Sequence, residues 1–177
     1  FKNMAKTREK AIQAASANEI VSDYAINRNA KALHPDYLSL VVAEILDHGK
    51  AGARTFVFKN ANGGSLPCFR AGQYLSLKLA LDGSRVSRPY SISSGPKEAL
   101  EGRLAVTVRA NPGGFAADRI LAGLKVGDAV TASAPEGHFY YEELRDAKNV
   151  LALAGGSGIT PFLSMARAIR DGSENFA

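Results

Sequence analysis

Arg88-Pro89-Tyr90-Ser91 sets a guanidinium, a phenol ring and a hydroxyl along one short segment. These groups suit a phosphate, a flat heterocycle and a ring nitrogen. On an extended strand Arg88 and Tyr90 project to one face and Ser91 to the other, unless a twist or bulge intervenes. Well downstream, Gly155-Gly156-Ser157-Gly158 lies between an apolar run, 150–154, and Thr160-Pro161. A glycine-rich turn in that position offers backbone N–H groups at a helix start, the usual cradle for a dinucleotide. Each motif alone has a plainer reading. The first also fits an edge strand carrying Pro89 with Tyr90 in the core, and the second a tight strand-to-helix turn without ligand.

The segments between them add order. Val106-Thr107-Val108-Arg109 is followed by Gly113-Gly114, then Lys125-Val126-Gly127-Asp128 and Pro135-Glu136-Gly137-His138-Phe139. Gly113 and Gly114 lead into a predicted helix at Phe115 and Ala116, whose first N–H groups and positive end favour a phosphate anion. In this order the motifs suggest a flavin held beside a pyridine nucleotide.

From about Leu38 to the last residue, these motifs resemble those of the ferredoxin-NADP reductase superfamily. The resemblance implies that Arg88 binds the flavin pyrophosphate, Tyr90 packs on the isoalloxazine and Ser91 lies near flavin N5, which makes Tyr90 and Ser91 the expected catalytic pair. The expected cofactor-binding set is Arg88, Pro89, Tyr90, Ser91, Val106, Val108, Arg109, Gly113, Gly114, Phe115 and Ala116 for the flavin, with Gly155, Gly156, Gly158 and Thr160 for the nicotinamide nucleotide. Where many relatives carry a phosphate-binding Ser or Thr, this chain has Ala117, a loss of one hydrogen bond worth ~1–3 kcal/mol. A pyrophosphate site favours FAD, with FMN as the alternative, and NAD is not separable from NADP. The implied activity is that of a flavin-dependent oxidoreductase taking hydride from NAD(P)H and passing electrons to a partner domain or protein, with iron-sulfur, haem, oxygenase or free flavin all compatible as acceptor. The alternative is a non-catalytic electron-relay or regulatory flavin subunit.

The elements that must hold these groups follow from periodicity. Strands are predicted at Tyr37–Leu46, Thr55–Lys59, Leu75–Leu81, Val86–Ser93, around Leu104-Val106-Val108, and at Ala129–Ala134, each alternating apolar and polar residues or bounded by turn residues such as Asp82-Gly83. Six short antiparallel strands predict a mainly β fold, a six-stranded Greek-key barrel, with one capping helix over Phe115–Leu121. Val150–Ala154 lacks alternation, as a parallel strand buried on both faces does. Thr160 is the predicted N-cap of a helix over Phe162–Arg170 ended by Gly172, with Met165 and Phe162 packing on the sheet. That makes 148–177 the start of an incomplete NAD(P)-binding α/β unit. Residues 37–147 form the expected FAD-binding barrel, and 1–36 a helical extension, helix over Met4–Val21, with a linker.

Composition narrows the classes. With 46% hydrophobic and 22% charged residues the chain is ordinary globular material. Its net charge of +5 comes from scattered Lys and Arg, which argues against nucleic acid and suits phosphate cofactors or an acidic electron-transfer partner. No apolar run reaches the ~20 residues of a membrane span and no secretory signal is evident, so a cytoplasmic protein is expected. The single Cys68 neither forms an internal disulfide nor holds a cluster by itself, so any metal centre belongs to another domain or partner. His34, His48 and His138 are dispersed and read as loop histidines, and Asp118 and Glu136 as solvated loop carboxylates. Beginning at Phe1 and stopping at Ala177 just past a helix, the sequence reads as a piece of a longer protein.

Overall fold

The computed structural model describes residues 2–15, 30, 33–81, 84–111, 113–114 and 116–176. The chain divides into two compact units, Phe1–Ala32 and Leu33–Ala177. Within the first, helix α1 (Lys2–Ala15) is exposed along its described side chains. It starts close to the predicted position; the rest of the predicted helix, from residue 16 to Val21, lies outside the described residues.

The second unit is one curled six-stranded antiparallel sheet. Its strands are β1 (Tyr37–Asp47), β2 (Ala53–Asn60), β3 (Tyr74–Leu81), β4 (Ser84–Ser91), β5 (Leu104–Arg109) and β6 (Ala129–Ser133), in the spatial order β4-β3-β6-β1-β2-β5. All six predicted strands are present. The β1–β2 hairpin turns through a 3-10 turn at Gly49–Ala51, where Gly52 adopts φ 58° and Asp47 accepts the Gly49 N–H at 2.7 Å. A bulge between Val42 and Glu44 shifts the β1–β2 register and sharpens the curl. The predicted Asp82-Gly83 turn lies outside the described residues; on either side of it β3 and β4 pair from Leu81–Ser84 down to Tyr74–Ser91.

Alternation decides which face is inside. Leu40, Phe56, Phe58, Leu75, Leu77, Leu104, Val106 and Val108 point inward and are fully buried in one cluster. Each such side chain stabilises the fold by about 1.5–3 kcal/mol relative to exposure. Helix α3 (Ala117–Gly123) caps this core by burying Ile120, with Ala117, Leu121 and Leu124 packed beside it. A second helix, α2 (Pro96–Leu100), was not expected. Pro96 opens it, the Glu98 carboxylate accepts the Gly95 N–H at 2.9 Å, and Ala99 is buried in the same core.

Two expectations for the C-terminal stretch need correction. Val150–Ala154 forms no strand: no ladder partner pairs with it among the described residues, and Leu151 and Leu153 are 83% and 80% exposed. A parallel strand is buried only when neighbours cover both faces, and none is in place. Thr160 is the first residue of helix α4 (Thr160–Asp171), not its N-cap. A 3-10 turn at Ser157–Ile159 precedes it, and the Thr160 hydroxyl donates back to the Ser157 carbonyl at 3.0 Å. The helix does end at Gly172, in the left-handed conformation at φ 79°. Met165 and Phe162 pack against Ala71, Tyr141, Ala168 and Phe176 and not on the 150–154 run.

Candidate functional site

Strands β4 and β5 are the two edges of the sheet, and the curl brings them together at one point, the Ile92–Val106 bridge. Backbone direction along β4 follows from its hydrogen bonds. The Ser76 N–H points toward β6, donating to Ser133 Oγ at 3.0 Å, so the Ser76–Pro89 pair exchanges no backbone bond and Pro89 turns its nitrogen away from β3. Ile92 donates to the Gln73 carbonyl on the β3 side, and Ser93 donates to the Ala105 carbonyl on the β5 side. Odd-numbered residues of β4 therefore face β5 with their main chain. Continuing the register of the bridge would set Ser91 against Thr107 and Pro89 against Arg109. Pro89 has no N–H to offer there, and the pairing ends at the single bridge. What remains is a seam open along one lip with Arg88, Tyr90 and Ser91 and along the other with Thr107, Val108 and Arg109.

The side chains on the first lip differ in environment. Tyr90 is half-buried against the core, and burial raises its phenol above the ordinary value, with the Arg88 charge pulling the other way. Arg88 is exposed; its guanidinium donates only to the neighbouring Ser87 carbonyl at 2.9 Å, and no carboxylate pairs with it among the described residues. Ser91 is part-buried, with its N–H directed into the seam.

On the second lip, Val106 and Val108 send their side chains into the core and turn their N–H and C=O groups to β2, as the Ala110 N–H does to the Gly52 carbonyl, so the main chain that faces the seam is that of Thr107 and Arg109. Beyond Arg109 the chain turns at Gly113, φ 80°, with the Gly114 N–H donating to the Asn111 carbonyl at 2.6 Å. A Cβ on Gly114 would sit 2.7 Å from that same carbonyl oxygen, so the turn is closed to a side chain. Asp118 accepts the Asn111 N–H at 3.3 Å, and the Ala110 N–H bonds the Gly52 carbonyl at 2.7 Å. Ala116, just before α3, is buried, and Phe115 lies outside the described residues.

Arg109 links this lip to the downstream glycine loop. A Cβ on Gly156 would lie 3.4 Å from Arg109 Nη1, so the absence of a side chain lets the guanidinium approach the loop backbone. Gly155 and Gly158 are exposed on the same loop, and Thr160 is buried at its end. Helix α4 is fastened behind β4: Ser164 Oγ donates to the Ser94 carbonyl at 2.6 Å, and Arg167 meets Glu98 at 3.1 Å. Thus Arg109 and the 155–158 loop are adjacent, and α4 follows the segment that leaves β4.

The model of the oxidoreductase FAD-binding domain family matches residues 40–141. The chain belongs to that family. The likeness to ferredoxin-NADP reductases expected from the motifs is thereby borne out. A flavohemoprotein of Candida albicans is 42% identical over 110 residues, 60% of this chain and 27% of its own length. The FAD/NAD-binding domain of a nitric oxide dioxygenase from Vibrio cholerae superposes with a TM-score of 0.68 at 28% identity, covering 80% of this chain and 60% of that one. Phthalate dioxygenase reductase, described as a modular structure for electron transfer from pyridine nucleotides to [2Fe-2S], gives a TM-score of 0.66 at 31% identity over 77% of this chain and 40% of that one. The chain spans between a quarter and a third of the length of the curated relatives it matches.

The FAD-binding domain also contains residues whose surroundings the motifs did not reveal. Thr55, Thr107 and Ser93 stand at positions that alternation assigns to the outer, wet face, yet Thr55 and Ser93 are buried, as is Ser94 beside them. Gly72 is another: at φ +106° it lies so close to Phe139 that a Cβ would collide with the carbonyl oxygen and reach 2.7 Å from Met165 Cε. Among the described residues no helix is long and apolar enough to cross a membrane, and no cluster of three or more metal-ligating side chains exists.

Proposed function

We propose that this chain is the FAD-binding module of an NAD(P)H-dependent flavin oxidoreductase that passes electrons to an iron-sulfur or haem partner domain or protein. The observation that carries the reading is the open seam between β4 and β5. Among the described residues no bridge joins the two strands beyond Ile92–Val106, a guanidinium that meets only its neighbouring carbonyl stands on one lip, and an arginine on the other reaches the glycine loop. An elongated ligand with a flat ring and a pyrophosphate fits that arrangement, which favours FAD over FMN.

In this reading Arg88 and the main chain of the 113–114 turn hold the pyrophosphate, Tyr90 covers one ring face, and Ser91 presents its N–H and hydroxyl to the ring edge. When bound, FAD supplies the chemistry, accepting hydride from the nicotinamide and releasing electrons to the partner. The protein's share is to fix the ring, to exclude water on the Tyr90 side and to bring the nucleotide to it. Arg109, grouped with the flavin residues on sequence, stands against Gly156 instead, and in this reading it and the Gly155-Gly156-Ser157-Gly158 loop, with Thr160 behind it, receive the nicotinamide nucleotide. We accordingly take 37–147 as the FAD-binding barrel, 148–177 as the first NAD(P)-binding segment and 1–36 as an extension. The iron-sulfur or haem partner follows from the [2Fe-2S] acceptor of phthalate dioxygenase reductase and from the flavohemoprotein likeness. Cys68 is exposed and unpaired, in keeping with a reducing cytoplasmic setting.

The test is direct. The purified chain mixed with FAD and desalted is expected to retain a yellow chromophore, and to prefer FAD to FMN in competition. A colourless protein after exposure to micromolar FAD contradicts the assignment.

A further inference from the structure

Across the outer face of the barrel, four side chains from separate stretches of sequence form one hydrogen-bonded row. His48 Nε2 lies 2.8 Å from Thr55 Oγ1, Thr55 Oγ1 lies 2.7 Å from Thr107 Oγ1, and Thr107 Oγ1 donates to Ser93 Oγ at 3.0 Å. Thr55 and Thr107 are direct cross-strand partners on β2 and β5. Ser93 stands two residues beyond Ser91, on the same side of the β4 chain.

The row has one direction. A threonine hydroxyl carries a single proton, and that of Thr107 is committed to Ser93. The Thr55–Thr107 bond therefore uses the Thr55 proton, and the Thr55–His48 bond uses the Nε2 proton of His48. Donation runs from the exposed histidine through β2 and β5 to the buried serine at the end of β4.

The same place is where the backbone pairing of β4 with β5 gives out. Past the Ile92–Val106 bridge and the Ser93–Ala105 bond, the two strands separate into the seam. Side-chain hydroxyls take over the fastening: Thr107 holds Ser93, and Ser94 Oγ accepts the Ala105 N–H at 3.0 Å. Ser93 and Ser94 are 1% and 0% exposed, so the serine ends of these bonds are shielded from water, where losing a partner strands a buried polar group.

We propose that Thr107 is a positioning residue for the flavin: through Ser93 it fixes where β4 leaves β5, and so sets the placement of Ser91 and Tyr90 against the ring. This rests on the FAD reading above. It assigns a site role to the Thr107 hydroxyl, which is engaged by Ser93 and Thr55, and extends that role to Thr55 and His48 as the donors that orient it.

The test uses the full chain. Thr107→Val keeps the shape and removes both hydroxyl bonds, whereas Ser93→Ala removes only the acceptor end and leaves Thr55–Thr107 intact. Each is expected to raise the Kd for FAD about tenfold, equivalent to about 1.4 kcal/mol, and to change the visible circular dichroism of the bound flavin. Thr107→Ser should restore both. The double variant Thr107→Val/Ser93→Ala should be no weaker than Thr107→Val alone, because one coupling has been cut twice. If Thr107→Val does not fold, Ser93→Ala decides. A lower melting temperature with unchanged Kd and unchanged flavin dichroism in Ser93→Ala overturns the inference, since a merely structural hydroxyl behaves that way. Failure of the unsubstituted chain to bind FAD overturns the functional reading and this inference together, so the two failures are told apart by the parent protein.

Discussion

Replacing Arg88 by Ala separates binding from folding more cleanly than any other change at the seam. The side chain is exposed, and its guanidinium makes one bond, to the adjacent Ser87 carbonyl. Surface changes of this kind stay within about 0.5 kcal/mol of neutral for stability, so the melting temperature of the ligand-free protein should hardly move. A guanidinium on a phosphate is another matter: a hydrogen bond to a charged group is worth about 1.5–3 kcal/mol, and the planar fork matches phosphate oxygens in pairs. Loss of Arg88 should therefore raise the Kd for FAD by about ten- to 150-fold. Because the site faces solvent, rising salt should weaken the parent more than the variant. Arg88→Lys keeps the charge without the fork and should fall between the two. Titration of FAD into each variant, followed by quenching of flavin fluorescence, measures this. A change under about threefold in Arg88→Ala, against the 1.4 kcal/mol that a decade requires, would refute the phosphate role. So would a fall in ligand-free stability large enough to explain the weaker binding.

Other outcomes follow from single contacts. Gly72→Ala should destabilise the protein by ~2–4 kcal/mol in thermal or urea unfolding, because the position combines φ +106° with a collision against the Phe139 carbonyl. Tyr90, whose phenol is held by burial above the ordinary value of about 10, should keep its proton when exposed tyrosines have lost theirs. The unfolded chain then ionises first, so the contribution of Tyr90 to stability is complete below about pH 10 and is lost as pH rises through the folded value. Ultraviolet difference titration of the protein against Tyr90→Phe reads this directly. Arg109→Ala should weaken pyridine-nucleotide binding while FAD retention stays unchanged, and loss of FAD with full nucleotide affinity would reverse the roles given to the two lips.

Much of the barrel was legible because its signals are local. Leu75, Leu77 and Leu79 alternate with polar residues, and the two fully buried ones, Leu75 and Leu77, point inward as that alternation requires. The turn at 47–52 and the terminus at Gly172 follow from glycine geometry. The seam was half legible: Pro89 announces an edge strand, but which way its nitrogen faces depends on register, which is read from the Ser76–Ser133, Ile92–Gln73 and Ser93–Ala105 bonds. The hydroxyl row was invisible, since residues 48, 55, 93 and 107 become neighbours through strand pairing between distant segments. Thr55 and Thr107 looked like ordinary wet-face threonines. Gly72 was overlooked for the same reason, as its crowding comes from Phe139. The 150–154 run shows the opposite failure. Its composition announces burial, but burial is a property of neighbours, and hydrophobic residues without a ladder remain in solvent.

A strand with an unoccupied flank ordinarily invites trouble: its bare donors and acceptors are a template for any other chain in extended form, and molecules so equipped zip edge to edge into aggregates. The imide nitrogen at position 89 removes one donor from the middle of that template. A crevice can thus stand ready for a small ligand without inviting strand addition there, and Pro89→Ala would be expected to increase self-association, visible as a shift to larger species in sedimentation.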